Sequence, residues 1–425
     1  VIRNDEECLE YFSDRLLEVA ESVPETIDTF KLDGPNPFTD PEMLDFEKYP
    51  EGMWQKPGAS KPNRAALATW GSWVNSWAKE KYGRPVFLAC SADLAGSTNI
   101  AGFADGFGDA EGWGWFDRDK NPEGTLIPQE ITEFTNAGIM CGNAAVNLSD
   151  KPYDEWNGFM GACSTYGSFV YLKYGPMRLF SQTAQDSEIK VGKVIWVAGH
   201  SGPETADDSR THFGIFSPGV TQLFPDGHVI DVHPWEYNEV PVLIAAALQT
   251  DRPIVALHLT RPPVDIPDRA SLGIPSHFDA AKGAYIMRDY DPDSEPMGCL
   301  IVQGTSVTAN LIKIFKELDR EKLNMKIVYA ASPQLFALQS EEYQNKVITP
   351  ADRMDSTIIC NRSRRVTRDW IFNPLAEEYA MTSDWDDNWR TGGNLDDVIE
   401  EAHLSPDWLM RGIEKFAADR SERLK

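Results

Sequence analysis

The chain has 425 residues, 42% of them hydrophobic and 25% charged, the balance of a soluble globular protein of about two or three domains. Its formal net charge of −26 argues against nucleic acid or an anionic membrane surface as partner, because phosphate-rich ligands are met by basic faces. No window approaches the roughly 20 apolar residues of a membrane helix. The six cysteines (Cys8, Cys90, Cys141, Cys163, Cys299, Cys360) form no CxxC pair, which predicts reduced thiols and a cytoplasmic location. The opening VIRNDEECLEYF has no basic region followed by an apolar run, so no signal peptide is expected.

Residues 1–60 read as an arm: an amphipathic helix, then a stretch dense in Pro, Gly and Asp. From Arg64 the pattern RAALATWGSWVNSWAKEKYG predicts a helix, followed by the short buried strand RPVFLAC. Residues 100–128 are Gly-rich and irregular. ITEFTNAGIMCGNAAVNLS predicts a helix loaded with small residues. Strands are expected at 193–198, 228–232 and 253–260, alternating with helical stretches in the rhythm of βαβ units. Residues 266–295 read as a linker. A second α/β unit follows: strand GCLIVQGTS, helix VTANLIKIFKELDREKL and strand MKIVYAAS. The expected fold is α/β, with two consecutive α/β domains of mostly parallel sheet, 61–265 and 296–425.

Several motifs have bland readings. DRDKNPEG (117–124) has calcium-loop spacing, but Pro122 stands where that turn needs Gly. In GHVIDVH, His228 and His233 fall on opposite faces of a strand, so the group reads as ordinary strand decoration. GFADGFGDAEGWG is neither GxGxxG nor a phosphate loop. Glu133 stands out more. Its helical neighbours Asn136, Ala137 and Met140 are small or uncharged, so the carboxylate should be partly desolvated, a setting that suits hydrogen-bonding to a ring nitrogen. GHSGPETADDSRTH (199–212) is a polar loop leaving the end of a strand, where α/β proteins keep ligand sites.

Read together, SADLAGSTN (91–99), TEFTNAGIMCGNA (132–144), GFMGACSTYGSFVY (158–171), the 199–212 loop, HLTRPPV (258–264), CLIVQGTSVTANL (299–311) and ASPQLFALQSEEYQNKVITP (331–350) resemble motifs of transketolase, in the same order. The resemblance runs from about residue 61 to 425 and covers that family's pyrimidine-binding and C-terminal domains. It implies the thiamine-diphosphate-binding fold for the first domain. The family's diphosphate-binding domain carries a GDG motif that holds Mg2+ and the diphosphate, and no such motif stands here. The resemblance therefore implies the C-terminal subunit of a split transketolase, or part of a longer chain. The cofactor would be thiamine diphosphate with Mg2+, held mainly by a diphosphate-binding N-terminal subunit or domain. The particle would be a homodimer or an α2β2 heterotetramer.

The resemblance also implies roles. Glu133 would bond the cofactor's aminopyrimidine ring and so activate it; Tyr166 and Phe169 would pack on that ring, and Asp93 would lie beside the cofactor. The third aromatic of the set falls near Leu172, with Tyr171 next to it. His212 would bond the reacting end of a ketose donor and act in catalysis; Asp208 would read the adjacent hydroxyl. His200, Ser97, Arg261 and Arg64 would hold the phosphate of a sugar-phosphate substrate. The implied reaction moves a two-carbon ketol unit from a ketose to an aldose. Alternatives are the β-type chain of another thiamine-diphosphate enzyme, such as a 2-oxo acid dehydrogenase component or a deoxyxylulose-phosphate synthase, and a non-catalytic assembly subunit. The departures Ser209-Arg210 and Phe213-Gly214-Ile215-Phe216 fall in the substrate loop and mark where the choice of sugar would differ.

Overall fold

The computed structural model describes residues 5–22, 30–32, 34–92, 94–108, 114–204, 210–212 and 214–425. Asp93, Asp208, Ser209 and Phe213 lie outside them.

The first sheet has five strands: β1 Phe87–Ser91, β2 Met160–Thr165, β3 Val194–Ala198, β4 Val229–Val232 and β5 Ile254–His258. They are ordered β1-β2-β3-β5-β4 and all run parallel. Parallel strands covered on both faces need near-continuous apolar sequence, and VIWVA and IVALH supply it. The covering helices are α1 Arg64–Tyr82, α2 Glu133–Ala145, α3 Tyr174–Asp186 and α4 Glu239–Gln249. Helix α4 is apolar all round and buried from Glu239 to Leu248, as a helix enclosed on every side must be.

The second sheet comprises β6 Ala284–Arg288, β7 Cys299–Gln303, β8 Lys326–Ala330, β9 Ser356–Cys360 and β10 Met381–Thr382, ordered β10-β9-β7-β8-β6. Only β6 is antiparallel, pairing with β8 at its edge. That strand falls inside the stretch expected to be a linker: Ala284, Tyr285 and Met287 are buried, which needs a place in the sheet. The long helix expected after β7 is two, Thr305–Lys313 and Phe315–Arg320. No described helix is long and apolar enough to cross a membrane.

The arm is two things. Helix Glu6–Ser22 buries none of its residues. Residues 37–53 instead wind through short 3-10 turns and bury Met43, Tyr49 and Met53 against the first domain.

The two domains share one apolar core, and largely buried polar contacts also cross between them. Arg269 Nη2 donates to Glu236 and Glu239, each at 2.8 Å, and the Tyr285 hydroxyl donates to Glu239 at 2.5 Å. His233 N donates to the Ala331 carbonyl at 2.8 Å, and the Tyr329 hydroxyl to the His233 carbonyl at 2.5 Å. Buried ions and hydroxyls tolerate this only because each has a partner.

Candidate active site at the carboxyl ends of the first sheet

The carboxyl ends of β1, β2, β3 and β5 lead into the segments that hold the candidate residues, the expected place for a ligand in an open parallel sheet. Arg64 opens α1, Ser97 follows β1, Tyr166 and Phe169 follow β2, His200 and His212 follow β3, and Arg261 follows β5.

Arg64, Ser97 and His200 form one cluster. Arg64 Nη1 lies 3.0 Å from His200 Nε2, 3.4 Å from Ser97 Oγ, and donates to the Ser97 carbonyl. Burial, then the charges of Arg64, Arg261 and His212, push the His200 pKa down to about 3. The imidazole is therefore neutral, and Nε2 accepts from the arginine. The charges of Arg64 and Arg261 both act on this imidazole.

The aromatic pair sits on the same group. Tyr166 stacks on His200 with centroids 4.1 Å apart and planes at 11°. Tyr166 and Phe169 each present an edge to His212, at 5.3 and 5.6 Å. The closeness depends on glycine. A Cβ on Gly167 would lie 2.4 Å from the His200 carbonyl oxygen, and one on Gly214 would lie 2.6 Å from it.

Glu133 is the first residue of α2, where a carboxylate faces the positive end of the helix. It is 7% exposed, and Asn136, Ala137 and Met140 on its face are buried with it. The Thr165 hydroxyl donates to Glu133 Oε1 at 3.1 Å, one residue before Tyr166. Among the described residues no other hydrogen bond to this carboxylate is seen. The structure thus gathers Arg64, Ser97, Tyr166, Phe169, His200 and His212, and ties Glu133 to the same strand end. Leu172 and Tyr171 are both substantially exposed.

Three buried polar groups lie behind the site: Lys173 and Glu204 were not singled out by the sequence, and Asp231 with His233, read there as ordinary strand decoration, belongs to a buried cluster. Lys173 is fully buried and donates to Asn136 Oδ1 at 2.6 Å and to the Ser164 carbonyl at 2.8 Å, joining α2 to β2. Asp231 lies between two imidazoles that stack at 4.5 Å: His258 Nε2 is 2.5 Å from Oδ1 and His233 Nε2 3.3 Å from Oδ2, while the Thr221 hydroxyl donates to Oδ2 at 3.1 Å. Asp231 and His233 share a face two residues apart, and β4 and β5 pair Val232 with Leu257, which sets His233 beside His258. That register was the missing signal. Their three ligand-type atoms lie within 4.8 Å of one another, and the hydrogen bonds above already engage them. Finally Glu204, in the stem of the 199–212 loop, is buried against the second domain. Asn361 Nδ2 lies 2.8 and 2.9 Å from its two oxygens, Ser306 donates to it, and burial raises its pKa. Arg362 Nε donates to Ser201 at 3.1 Å, so the second domain grips the loop stem twice.

No protein-family profile matches the chain. Transketolase 2 of Saccharomyces cerevisiae is 26% identical over 228 residues, 54% of this chain and 30% of that protein. The transketolase of Staphylococcus aureus is 26% identical over 270 residues, 62% of this chain and 35% of that one. Among solved structures, transketolase from Leishmania mexicana superposes with a TM-score of 0.65 at 16% identity, covering 90% of this chain and 50% of that one. The Campylobacter jejuni transketolase gives 0.63 at 18% identity, covering 88% and 50%. The chain spans about a third of the curated relatives it matches and half of the solved ones. In sequence over more than half its length, and in fold over nearly all of it, this chain is similar to the transketolases.

Proposed function

We propose that the chain is the C-terminal type of subunit of a split transketolase, or the corresponding part of a longer chain. In this reading it binds the pyrimidine end of thiamine diphosphate and the sugar substrate, and moves a two-carbon ketol unit from a ketose phosphate to an aldose. The observation that carries the reading is the conjunction of a buried helix-start carboxylate, Glu133, with the Tyr166–His200–His212 stack and the Arg64–Ser97 cluster.

The residues present fit the pyrimidine end of the cofactor. Glu133 is buried, joined by one described hydroxyl, and stands on the strand end that carries Tyr166 and Phe169. The diphosphate and Mg2+ would be held by a separate diphosphate-binding domain, since this sequence has no GDG motif. When bound, the cofactor supplies the nucleophilic carbon that carries the two-carbon unit. Glu133 holds a proton at a pyrimidine nitrogen. His212 and Asp208 hydrogen-bond the donor's reacting end, and His200 with Arg64, Ser97 and Arg261 receives the anionic end. A solved transketolase from Pichia stipitis is a complex with sedoheptulose-7-phosphate, a ketose phosphate of the class this assigns. Dimer or α2β2 assembly and a cytoplasmic location belong to the same reading.

The test is reconstitution of the chain with a GDG-bearing partner, thiamine diphosphate and Mg2+, assayed for ketol transfer. Glu133→Gln should reduce turnover by about 100-fold or more, the scale of a lost proton-transfer group. Full activity in that variant would remove Glu133 from the chemistry.

A further inference from the structure

The candidate active site occupies the carboxyl ends of the first sheet; a separate cavity of about 510 Å³ lies at the opposite, amino ends. It opens between the end of α3 and the turns that lead into β3, β4 and β5. Lys193 immediately precedes β3, His228 precedes β4 and Arg252 stands two residues before β5. Val194 and Val229 both pair with Ile254, so the strand register brings these three basic residues to one edge. Lys190, Glu188 and Asp251 complete the charged lining.

Lys193 is held unlike a surface lysine. Its Nζ donates to the Thr250 carbonyl and, at 2.8 Å, to the Arg252 carbonyl. A neutral amine has two N–H donors and one lone pair, so these carbonyls satisfy both donors and leave the lone pair uncommitted. The ammonium has a third donor, and among the described residues no carboxylate bonds it. Asp251, whose charge favours the ammonium, is paired with Arg252 Nε at 3.3 Å. Burial prevails and pushes the Lys193 ammonium down to about 8. At pH 8 about half of such amines are neutral, against under about 1% for an ordinary lysine near ~10.4. Arg252 adds an anion-receiving group beside it. Its guanidinium rests over Gly227, where a Cβ would lie 3.0 Å from Nη1. Among the described residues neither Nη atom has a hydrogen-bond partner, and such a fork matches two oxygens of a phosphate.

We propose that Lys193 is an acyl-accepting lysine, modified by an acyl phosphate whose phosphate end is held in this cavity by Arg252 and Lys190. The amine lone pair attacks the acyl carbonyl carbon and the C–N bond forms. The acyl C–O bond to phosphate breaks, phosphate leaves with that electron pair, and the amine proton passes to water. The amide product carries no charge and keeps one N–H, so one of the two carbonyl bonds is lost. Modification therefore loosens the turn between α4 and β5, on the side of the sheet away from the candidate active site. The proposal stands apart from the ketol-transfer reading.

The test is incubation of the full chain at pH 8 with acetyl phosphate, and separately with the uncharged thioester S-acetyl-N-acetylcysteamine. Peptide mass spectrometry then gives the rate at each lysine. Acetyl phosphate should modify Lys193 at least about tenfold faster than the exposed Lys346, less than the ratio of neutral amines because burial slows approach. Arg252→Gln should cut the acetyl phosphate rate at Lys193 by about tenfold, the scale of one charged hydrogen bond, and the thioester rate by about threefold or less. Lys190→Gln should act in the same direction with a smaller drop, and circular dichroism should be unchanged in both variants. Lys193 reacting no faster than Lys346 overturns the proposal. So does an equal loss with both reagents in the Arg252 and Lys190 variants.

Discussion

Asp231 to Ala is the change that most severely tests the buried network beneath the site. The carboxylate accepts from His258 at 2.5 Å, from Thr221 at 3.1 Å and from His233 at 3.3 Å. All three donors are buried, so the alanine variant leaves each without its acceptor. An unsatisfied buried donor costs about 1–3 kcal/mol, and the imidazoles recover part of this by exchanging tautomers. The net loss should be about 2–4 kcal/mol, the cost of the stranded donors less what the tautomers recover. Asp231→Asn keeps one acceptor oxygen and should lose less, about 1–2 kcal/mol. The sign with pH follows from the position of the carboxyl, which its histidine partners hold far below the ordinary carboxylate range against the cost of burial. Its stabilisation is present above the unfolded pKa near ~3.9 and fades only as pH falls below that. The assay is urea unfolding at pH 7.5, followed by circular dichroism and by tryptophan emission. A loss below about 1 kcal/mol for Asp231→Ala would show that the three contacts do not hold this buried network together.

Three further outcomes follow from the same kind of reasoning. Burial holds His200 and His233 at about 3 and His277 at about 4. The unfolded chain takes up these protons from about pH 6.5 while the fold refuses them, so stability is complete above pH 6.5 and falls toward pH 4, by up to about 1.4 kcal/mol per pH unit for each histidine. Thermal unfolding across pH 4.5–8 should show that slope, and His277→Phe should make it shallower; a flat profile would contradict it. Lys173→Ala strands the buried Asn136 and Ser164 acceptors and should cost about 2–4 kcal/mol in urea unfolding, with a loss under about 0.5 kcal/mol the contrary result. Gly304 has φ +126°, and a Cβ there would lie 2.2 Å from Asn361 Oδ1, so Gly304→Ala should cost about 1–3 kcal/mol in backbone strain alone and loosen the Glu204 anchor. An unchanged melting temperature would show that the anchor is slack.

Local pattern made much of this fold legible. The apolar strands at 193–198 and 253–260 are β3 and β5, and the face of Glu133 is buried, because helical and strand periods appear in any single segment. The helix predicted over ITEFTNAGIMCGNAAVNLS is shorter at both ends, running from Glu133 to Ala145. Strand β6 was hidden by its Pro- and Asp-rich neighbours, which carry turn signals on both sides of a five-residue edge strand. The Asp231–His258 and Glu204–Asn361 contacts were beyond reach for a different reason. They join residues 27 and 157 positions apart, and only the strand order and the docking of the second domain bring them together. The Tyr166–His200 stack belongs to the same class. Sequence placed one ring at the cofactor and the other at the substrate phosphate, whereas the fold sets them face to face.

The central claim is that Glu133 supplies the pyrimidine contact of a thiamine diphosphate site shared with a diphosphate-binding chain. The direct measurement is exchange of the cofactor's C2 hydrogen for deuterium, followed by proton NMR in the reconstituted complex with Mg2+. Wild-type complex should exchange at least about 100-fold faster than free cofactor, and Glu133→Gln should return the rate close to the free value while thiamine diphosphate remains bound. Wild-type exchange in the Glu133→Gln complex would contradict the claim.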